Sequence, residues 1–129
     1  MKKVAVVLAG CGNKDGSEIH ESVCTLIAIC QAGAEYKCFA PNVEYQALDF
    51  LTGKQLGKRK TLVEAARIAR SQIKDIHNLV ADNFDALVFP GGLGAATQLS
   101  NWLLNGARAD VHAEVPTLTD EPALFYPSC

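Results

Sequence analysis

Val4-Ala5-Val6-Val7-Leu8-Ala9 is an unbroken apolar run near the start of the chain, and it decides the fold. A strand with one buried face alternates apolar and polar residues, whereas a strand covered on both faces reads as a continuous, valine-rich run. The run therefore predicts an interior strand of a parallel sheet. A glycine-containing loop over residues 10–16 follows, and a helix then begins near Ser17, with Ser17 or Asp15 as its cap.

Strand, glycine turn and helix recur along the chain. The first helix carries apolar residues at helical spacing and ends at Gly33. We predict a second strand over 36–40, a loop over 42–60, helices over 62–70 and 75–80, a third strand over 86–89 and a helix over 95–104. This alternation predicts an α/β fold with a parallel sheet, helices on both faces and a functional site at the carboxyl ends of the strands.

The pattern changes after residue 104. Pro116, Pro122 and Pro127 interrupt the remainder, and no stretch of it keeps helical or strand periodicity. We therefore divide the chain into an α/β domain over residues 1–104 and a divergent, irregular tail over residues 105–129.

Composition argues against several classes of function. Hydrophobic residues make up 49% and charged residues 20% of the chain, which is typical of a globular domain. The net charge of −2 gives no general attraction to nucleic acid or to an acidic membrane. The first apolar run is too short for a signal peptide, and no stretch reaches the roughly 20 apolar residues that cross a bilayer. We expect a cytoplasmic protein without nucleic-acid or membrane partners.

The spacing of cysteines and histidines predicts no metal site. The five cysteines form no C-x-x-C pair, and His20, His77 and His112 are widely scattered. Free thiols in a reducing compartment fit best. The glycine-rich stretches over 10–16 and 53–59 miss the spacing of nucleotide-binding motifs. We interpret the basic residues near the second stretch as a solvated loop, with anion capture as the minority interpretation.

Two features of the expected sheet edge could carry chemistry. The consecutive amides of Gly91 and Gly92 follow a strand and could hold a developing oxyanion, although a tight turn that needs glycine only for its conformation explains the spacing equally well. Glu18 is explained by the helix dipole. Glu21 is expected to point toward the carboxyl edge, where a general acid or base would act.

A set of motifs occurs in an order that identifies a family. The motifs are Ala9-Gly10-Cys11-Gly12, Asp15-Gly16-Ser17-Glu18-Ile19-His20-Glu21, Phe39-Ala40-Pro41, Glu64-Ala65-Ala66-Arg67-Ile68-Ala69-Arg70 and Phe89-Pro90-Gly91-Gly92-Leu93-Gly94-Ala95-Ala96. Together they resemble the ElbB proteins, which are also known as isoprenoid or lycopene biosynthesis enhancing proteins. These belong to the PfpI-type branch of the class I glutamine amidotransferase-like superfamily. The resemblance spans about residues 1–104.

The resemblance implies a flavodoxin-like three-layer sandwich, usually a homodimer, with cofactor-free glyoxalase activity on glyoxal or methylglyoxal. In such enzymes a cysteine thiolate on a strand-to-helix elbow adds to the aldehyde, a glutamate moves the proton and glycine-loop amides stabilise the oxyanion. The glutamate corresponds to Glu21, and the amides correspond to Gly91 and Gly92. The implied partners are a small aldehyde and further copies of the chain, without metal or cofactor.

The chain departs from the family pattern at the nucleophile. The pattern continues into a Cys-x-Ala-Pro elbow, and no residue here matches it, since Cys129 is followed by neither Ala-Pro nor a helix. We therefore expect a truncated or frameshifted chain with a sheet incomplete at its C-terminus and no catalytic activity. The alternative is a non-catalytic module that pairs with full-length relatives. A third hypothesis makes Cys11, expected near Glu21 and the glycine loop, a reactive thiol, against the commoner role of core packing.

Overall fold

The computed structural model describes residues 1–94, 98–99 and 124–125. Its elements along the chain are β1 (Lys3–Val7), α1 (Ile19–Gln31), β2 (Glu35–Ala40), β3 (Glu44–Leu48), β4 (Gln55–Lys60), α2 (Thr61–Ala69), β5 (Ile73–Asp75), β6 (Ala86–Phe89) and β7 (Leu124–Phe125). Short 3-10 turns span Ile76–Asn78 and Ala81–Asn83.

The strand formed by the first apolar run is central in the main sheet. The strand order is β5-β2-β1-β6-β7, and each neighbouring pair is parallel. In register, Val6 lies beside Cys38 on one side and Val88 on the other. Because β1 pairs on both edges and is covered on both faces, it has no solvent-exposed face that would favour polar residues. This confirms the prediction of an interior parallel strand.

Both faces of the sheet are buried, by different elements. Val4, Val6 and Leu8 pack with residues of α1 and α2, including Leu26 and Ile68. The alternate residues of the same strand face the opposite way, since side chains alternate along a strand. That second face is covered by three buried side chains. They belong to Ile76 in the first 3-10 turn, to Leu79 directly after this turn, and to Leu99.

The start of α1 differs from the predicted cap. Glu18 is the N-cap, and its carboxylate accepts a hydrogen bond from the amide of Glu21. The predicted caps are engaged elsewhere: the hydroxyl of Ser17 accepts from the amide of Ala9 at 2.8 Å, and a carboxylate oxygen of Asp15 accepts from the amide of Leu48 at 2.9 Å. The two side chains therefore hold the loop to the residues that follow β1 and to β3, instead of starting the helix.

The loop predicted over residues 42–60 is wrong, because β3 and β4 form an antiparallel hairpin there. Its turn is held by Asp49, whose carboxylate accepts from the amide of Leu51 at 2.7 Å and of Thr52 at 3.2 Å. Gly53 supplies a φ of +75° in the same turn. Every residue of β4 is exposed, so this strand has no apolar alternation by which the sequence could reveal it.

The helix predicted over residues 75–80 is also corrected. Residues 73–75 form β5 at the edge of the sheet, and only a 3-10 turn follows. Asp75 ends the strand and caps the turn, since its carboxylate accepts from the amide of His77 at 3.0 Å. One residue with both roles explains why a strand and a turn occupy a stretch that reads as a short helix.

The other predicted elements have mixed outcomes. The helices before Gly33 and over 62–70 are confirmed as α1 and α2, and the third strand is confirmed as β6. Of the helix predicted over 95–104, only residues 98 and 99 are described, and both are helical. Most of the tail, including His112 and Cys129, lies outside the described residues. No helix within the described ranges is long and apolar enough to cross a membrane.

We expect Leu8→Ala to lower the free energy of unfolding by about 2–5 kcal/mol, because Leu8 is fully buried and its truncation leaves a cavity in the core. Leu51→Ala is the matched control, since Leu51 is 97% exposed and the same truncation there should change stability by no more than about 0.5 kcal/mol. Urea unfolding measures both. Equal effects of the two substitutions would contradict the assigned core.

Candidate functional site

The expected functional edge of the sheet lies where the order in which strands are added to the sheet reverses. From β1 the chain moves outward on one side to β2 and β5, and it then returns to add β6 on the other side of β1. In open α/β sheets, ligands bind outside the carboxyl ends of the strands at such a switch point. Two glycine loops follow β1 and β6 here, over residues 10–18 and 90–94, and we refer to them as the first and second glycine loops.

Backbone hydrogen bonds lock the two glycine loops together. The amide of Glu18 donates to the carbonyl of Gly91 at 2.7 Å, and the amide of Leu93 donates to the carbonyl of Asn13 at 2.7 Å. The amide of Gly94 donates to the carbonyl of Gly16 at 3.1 Å. These bonds use backbone groups only, so the loops can approach more closely than side-chain contacts would permit.

Gly92 is required by this close approach. A Cβ atom at this position would lie 2.5 Å from both the amide nitrogen of Glu18 and the carbonyl oxygen of Gly16. Its φ is +106°, a conformation that side chains rarely adopt. Conformation and packing therefore explain the glycine at this position. The predicted oxyanion role of the Gly91 and Gly92 amides is a separate property and stays a prediction.

Glu18 holds the first turn of α1 to the second glycine loop. Its carboxylate accepts from the amide of Glu21 at 2.7 Å, and its other oxygen is 3.0 Å from Nδ1 of His20. The hydrogen bond from the Glu21 amide lowers the pKa of Glu18, with His20 adding to the effect. Glu18 is therefore a charged cap that connects the positions of Glu21 and Gly91 through its own backbone and side chain.

Glu21 has a carboxylate oxygen that could accept a hydrogen bond from a bound molecule. One oxygen of its carboxylate, Oε2, is buried and has no hydrogen-bond partner among the described residues. A buried carboxylate oxygen without a donor is costly, so native proteins usually satisfy it. Glu21, the predicted proton-transfer residue, thus has a carboxylate oxygen without a hydrogen-bond donor. It lies in the first turn of α1, at the carboxyl edge of the sheet.

Cys11 lies in a cavity that we name the hairpin cavity. It has a volume of about 370 Å³ and is lined by the first glycine loop, both hairpin strands and Glu64 of α2. Burial raises the pKa of the half-buried Cys11 thiol, and the Glu64 carboxylate adds to the rise. The thiol is therefore protonated at neutral pH, which opposes a nucleophilic role.

Glu64 is a buried charged residue that lines the hairpin cavity. The residue is 8% exposed, and its carboxylate is paired on both oxygens, with Nε of Arg67 at 2.7 Å and Nη1 of Arg59 at 3.6 Å. Tyr45 is buried beside it, and burial together with the nearby carboxylates raises the pKa of its hydroxyl to about 12. The phenol is therefore neutral at physiological pH.

The residues that build this cavity are not apparent from the sequence. The sequence predicts a helix cap at Asp15 and a loop at Tyr45, and it places Glu64 only within a family motif. The structure brings the three together with Cys11, whose carboxylate neighbours are Glu64 and Asp15. The usable signal was Asp15, a charged residue in a glycine loop where a nucleotide fingerprint would have its third glycine. Within the described part of the chain, no cluster of three metal-ligating side chains is found.

Comparisons with known proteins identify relatives of the chain. It is 43% identical over 122 residues to the human protein named glutamine amidotransferase-like class 1 domain-containing protein 3, mitochondrial, covering 92% of this chain and 46% of that protein. It is 32% identical over 119 residues to the zebrafish (Danio rerio) ES1 protein, mitochondrial, covering 87% and 44% respectively. No family model matches the chain.

A solved structure extends the comparison to the fold. The crystal structure of an isoprenoid biosynthesis protein with an amidotransferase-like domain, from Ehrlichia chaffeensis, superposes with a TM-score of 0.87 at 37% identity. The match covers 95% of this chain and 62% of that one. The homologues are thus amidotransferase-like proteins, and the predicted α/β, flavodoxin-like fold is confirmed. The chain spans about half the length of the curated relatives it matches.

The expected cytoplasmic localisation is wrong in the light of these relatives. The curated homologues are named as mitochondrial proteins, and these names contradict the expectation of a general cytoplasmic protein. The expectation relied on the absence of a recognisable signal peptide, a pattern that concerns secretion and carries little information about other destinations.

We expect Gly92→Ala to lower the free energy of unfolding by more than about 2 kcal/mol, because it combines an unfavourable φ with overlap against the first glycine loop. Gly53→Ala is the matched control: its φ is +75°, but a Cβ there would meet nothing within 4 Å, so only a conformational cost of about 1 kcal/mol is expected. Thermal and urea unfolding measure both. Equal losses would contradict the close approach of the two loops.

We expect Cys11 to react with iodoacetamide more slowly than the exposed Cys24 at neutral pH, since burial and a raised pKa both reduce its available thiolate. The rate at Cys11 should continue to increase as the pH rises above 9, the ordinary value from which its pKa is raised. Peptide mass spectrometry gives the rate at each cysteine. Faster alkylation of Cys11 than of Cys24 at pH 7 would favour the reactive-thiol hypothesis instead.

Proposed function

We propose that the chain carries the proton-transfer and oxyanion-binding parts of an amidotransferase-like glyoxalase site. Glu21 moves the proton, and the amides of Gly91 and Gly92 receive the negative charge that develops on the substrate oxygen. The observation that carries the proposal is the buried, unpartnered Oε2 of Glu21 in the first turn of α1. The substrate class is a small α-oxoaldehyde such as methylglyoxal.

The chemistry requires no metal and no redox cofactor. Methylglyoxal and water together have the composition of lactate, so the conversion only moves hydrogen between two adjacent carbons and adds water. A thiolate adds to the aldehyde carbon, a base transfers the proton between the carbons, and hydrolysis releases the hydroxy acid and regenerates the thiol. Glu21 supports the second of these steps because its open acceptor oxygen is shielded from bulk water.

The nucleophile is the part that we do not assign within this chain. No residue matches the Cys-x-Ala-Pro elbow, and in the hairpin cavity burial, together with the carboxylates of Glu64 and Asp15, raises the pKa of Cys11 and opposes thiolate formation. We therefore propose that the chain by itself does not turn over methylglyoxal. The names of the curated homologues support a mitochondrial location for this function.

We expect the purified 129-residue chain to produce no lactate from methylglyoxal in an enzymatic end-point assay. A chimera that joins residues 1–104 to the remaining segment of the Ehrlichia chaffeensis protein should gain turnover. In that chimera, Glu21→Gln should lower kcat by about 100-fold or more, the usual contribution of a general acid or base. Glu35→Gln, an exposed carboxylate on β2, is the matched control.

Two results would count against the proposal. Turnover by the unmodified chain, abolished by Glu21→Gln, would show that a nucleophile is present after all. Full turnover of the chimera carrying Glu21→Gln, with an unchanged pH profile, would remove the proton-transfer role.

A further inference from the structure

Asp15 presents a second buried carboxylate oxygen without a partner, in a place that the proposed reaction does not use. The residue is 8% exposed. Its Oδ2 accepts from the amide of Leu48 at 2.9 Å, whereas Oδ1 is buried and has no hydrogen-bond partner among the described residues. Because an unpaired buried acceptor costs free energy, this oxygen is a site at which a bound donor would gain.

The unpartnered oxygen belongs to a residue that lines the hairpin cavity. Asp15 lines this cavity, and a Cβ at Gly12 would overlap its Oδ1 and lie 3.4 Å from the ring of Phe50. Phe50 is 52% exposed in the hairpin turn, so its ring can shift without disturbing the core. Binding at the carboxylate would require this ring to move, which its exposed position in the turn permits.

The charges around the hairpin cavity favour a cation. Three carboxylates line it, from Asp15, Asp49 and Glu64, against the single guanidinium of Arg59. Arg67 neutralises one further charge through its bond to Glu64. The remaining charge is negative, and a low-dielectric cavity increases its effect on a ligand.

The hairpin lysines do not oppose this charge inside the cavity. In register, Tyr45 lies beside Arg59, and both residues line the cavity. Side chains alternate along a strand, so Lys58 and Lys60 lie on the face opposite to Arg59. Leu56 also lines the cavity, since the strand register shifts beside it, between Ala47 and Leu48 of the partner strand. The walls are otherwise aromatic and aliphatic, from Tyr45, Phe50 and Leu56, which suits the alkyl part of a ligand and the face-on approach of a cation.

We propose that the hairpin cavity binds a small organic ammonium ion, with Asp15 as its principal partner. The ammonium group donates to Oδ1 of Asp15, and its alkyl chain lies against Phe50 and Leu56. Binding changes no covalent bond. The proposal does not rest on Glu21 or on turnover, so it can fail or succeed independently of the proposed function.

We expect n-butylammonium chloride to bind saturably to the 129-residue chain, shifting the amide resonances of Gly12 and Leu48 in NMR titrations. Neutral butanol and anionic butyrate, which have similar alkyl chains, should bind at least about tenfold more weakly. Asp15→Asn should lower the affinity for butylammonium by about tenfold or more, since it removes the charge while keeping an oxygen to accept from Leu48. Asp85→Asn, at the far edge of the sheet, is the control and should bind normally.

A thermal melt of each variant separates loss of binding from loss of folding. Unchanged affinity in a folded Asp15→Asn variant would overturn the proposal. Equal binding of butyrate, which would place the ligand at Arg59, or no saturable shift with butylammonium, which would leave Asp15 with water only, would overturn it as well.

Discussion

The backbone hydrogen bond from Glu18 to Gly91 is the contact on which the arrangement of the functional edge depends. It joins the start of α1 to the loop after β6, two segments that are more than 70 residues apart in the sequence. The bond is possible because Gly92 has no side chain to separate the loops. The absence of a side chain at Gly92 thus determines how the start of α1 is positioned against the sheet. It thereby also determines where the carboxylates in the first turn of α1 lie.

Two carboxylates that each have one buried oxygen without a partner among the described residues lie near this contact, and they belong to different sites. Glu21 is in the first turn of α1, whereas Asp15 lines the hairpin cavity together with Cys11, Tyr45 and Glu64. Each buried oxygen without a hydrogen-bond donor lowers the stability of the fold, and apolar packing at the same position would not have this cost. Their coexistence in the loop and the first helical turn that follow β1 supports the two roles proposed for this edge of the sheet.

The sequence predicted the parts of the fold that local pattern determines. The valine-rich run could only be an interior parallel strand, and Gly33 ended α1 as expected. The hairpin could not be predicted, because β4 is exposed along its whole length and has no periodic pattern. Asp15 illustrates the same limit for the site: its partner Leu48 is 33 residues away, so nothing local distinguishes this contact from a helix cap.

Hydrogen exchange of individual amides tests the central claim most directly. If the two glycine loops form one unit with the sheet, the amides of Glu18, Leu93 and Gly94 will exchange as slowly as those of β1. Exchange of these three amides at the rate of the exposed hairpin turn, with β1 still protected, would contradict the account.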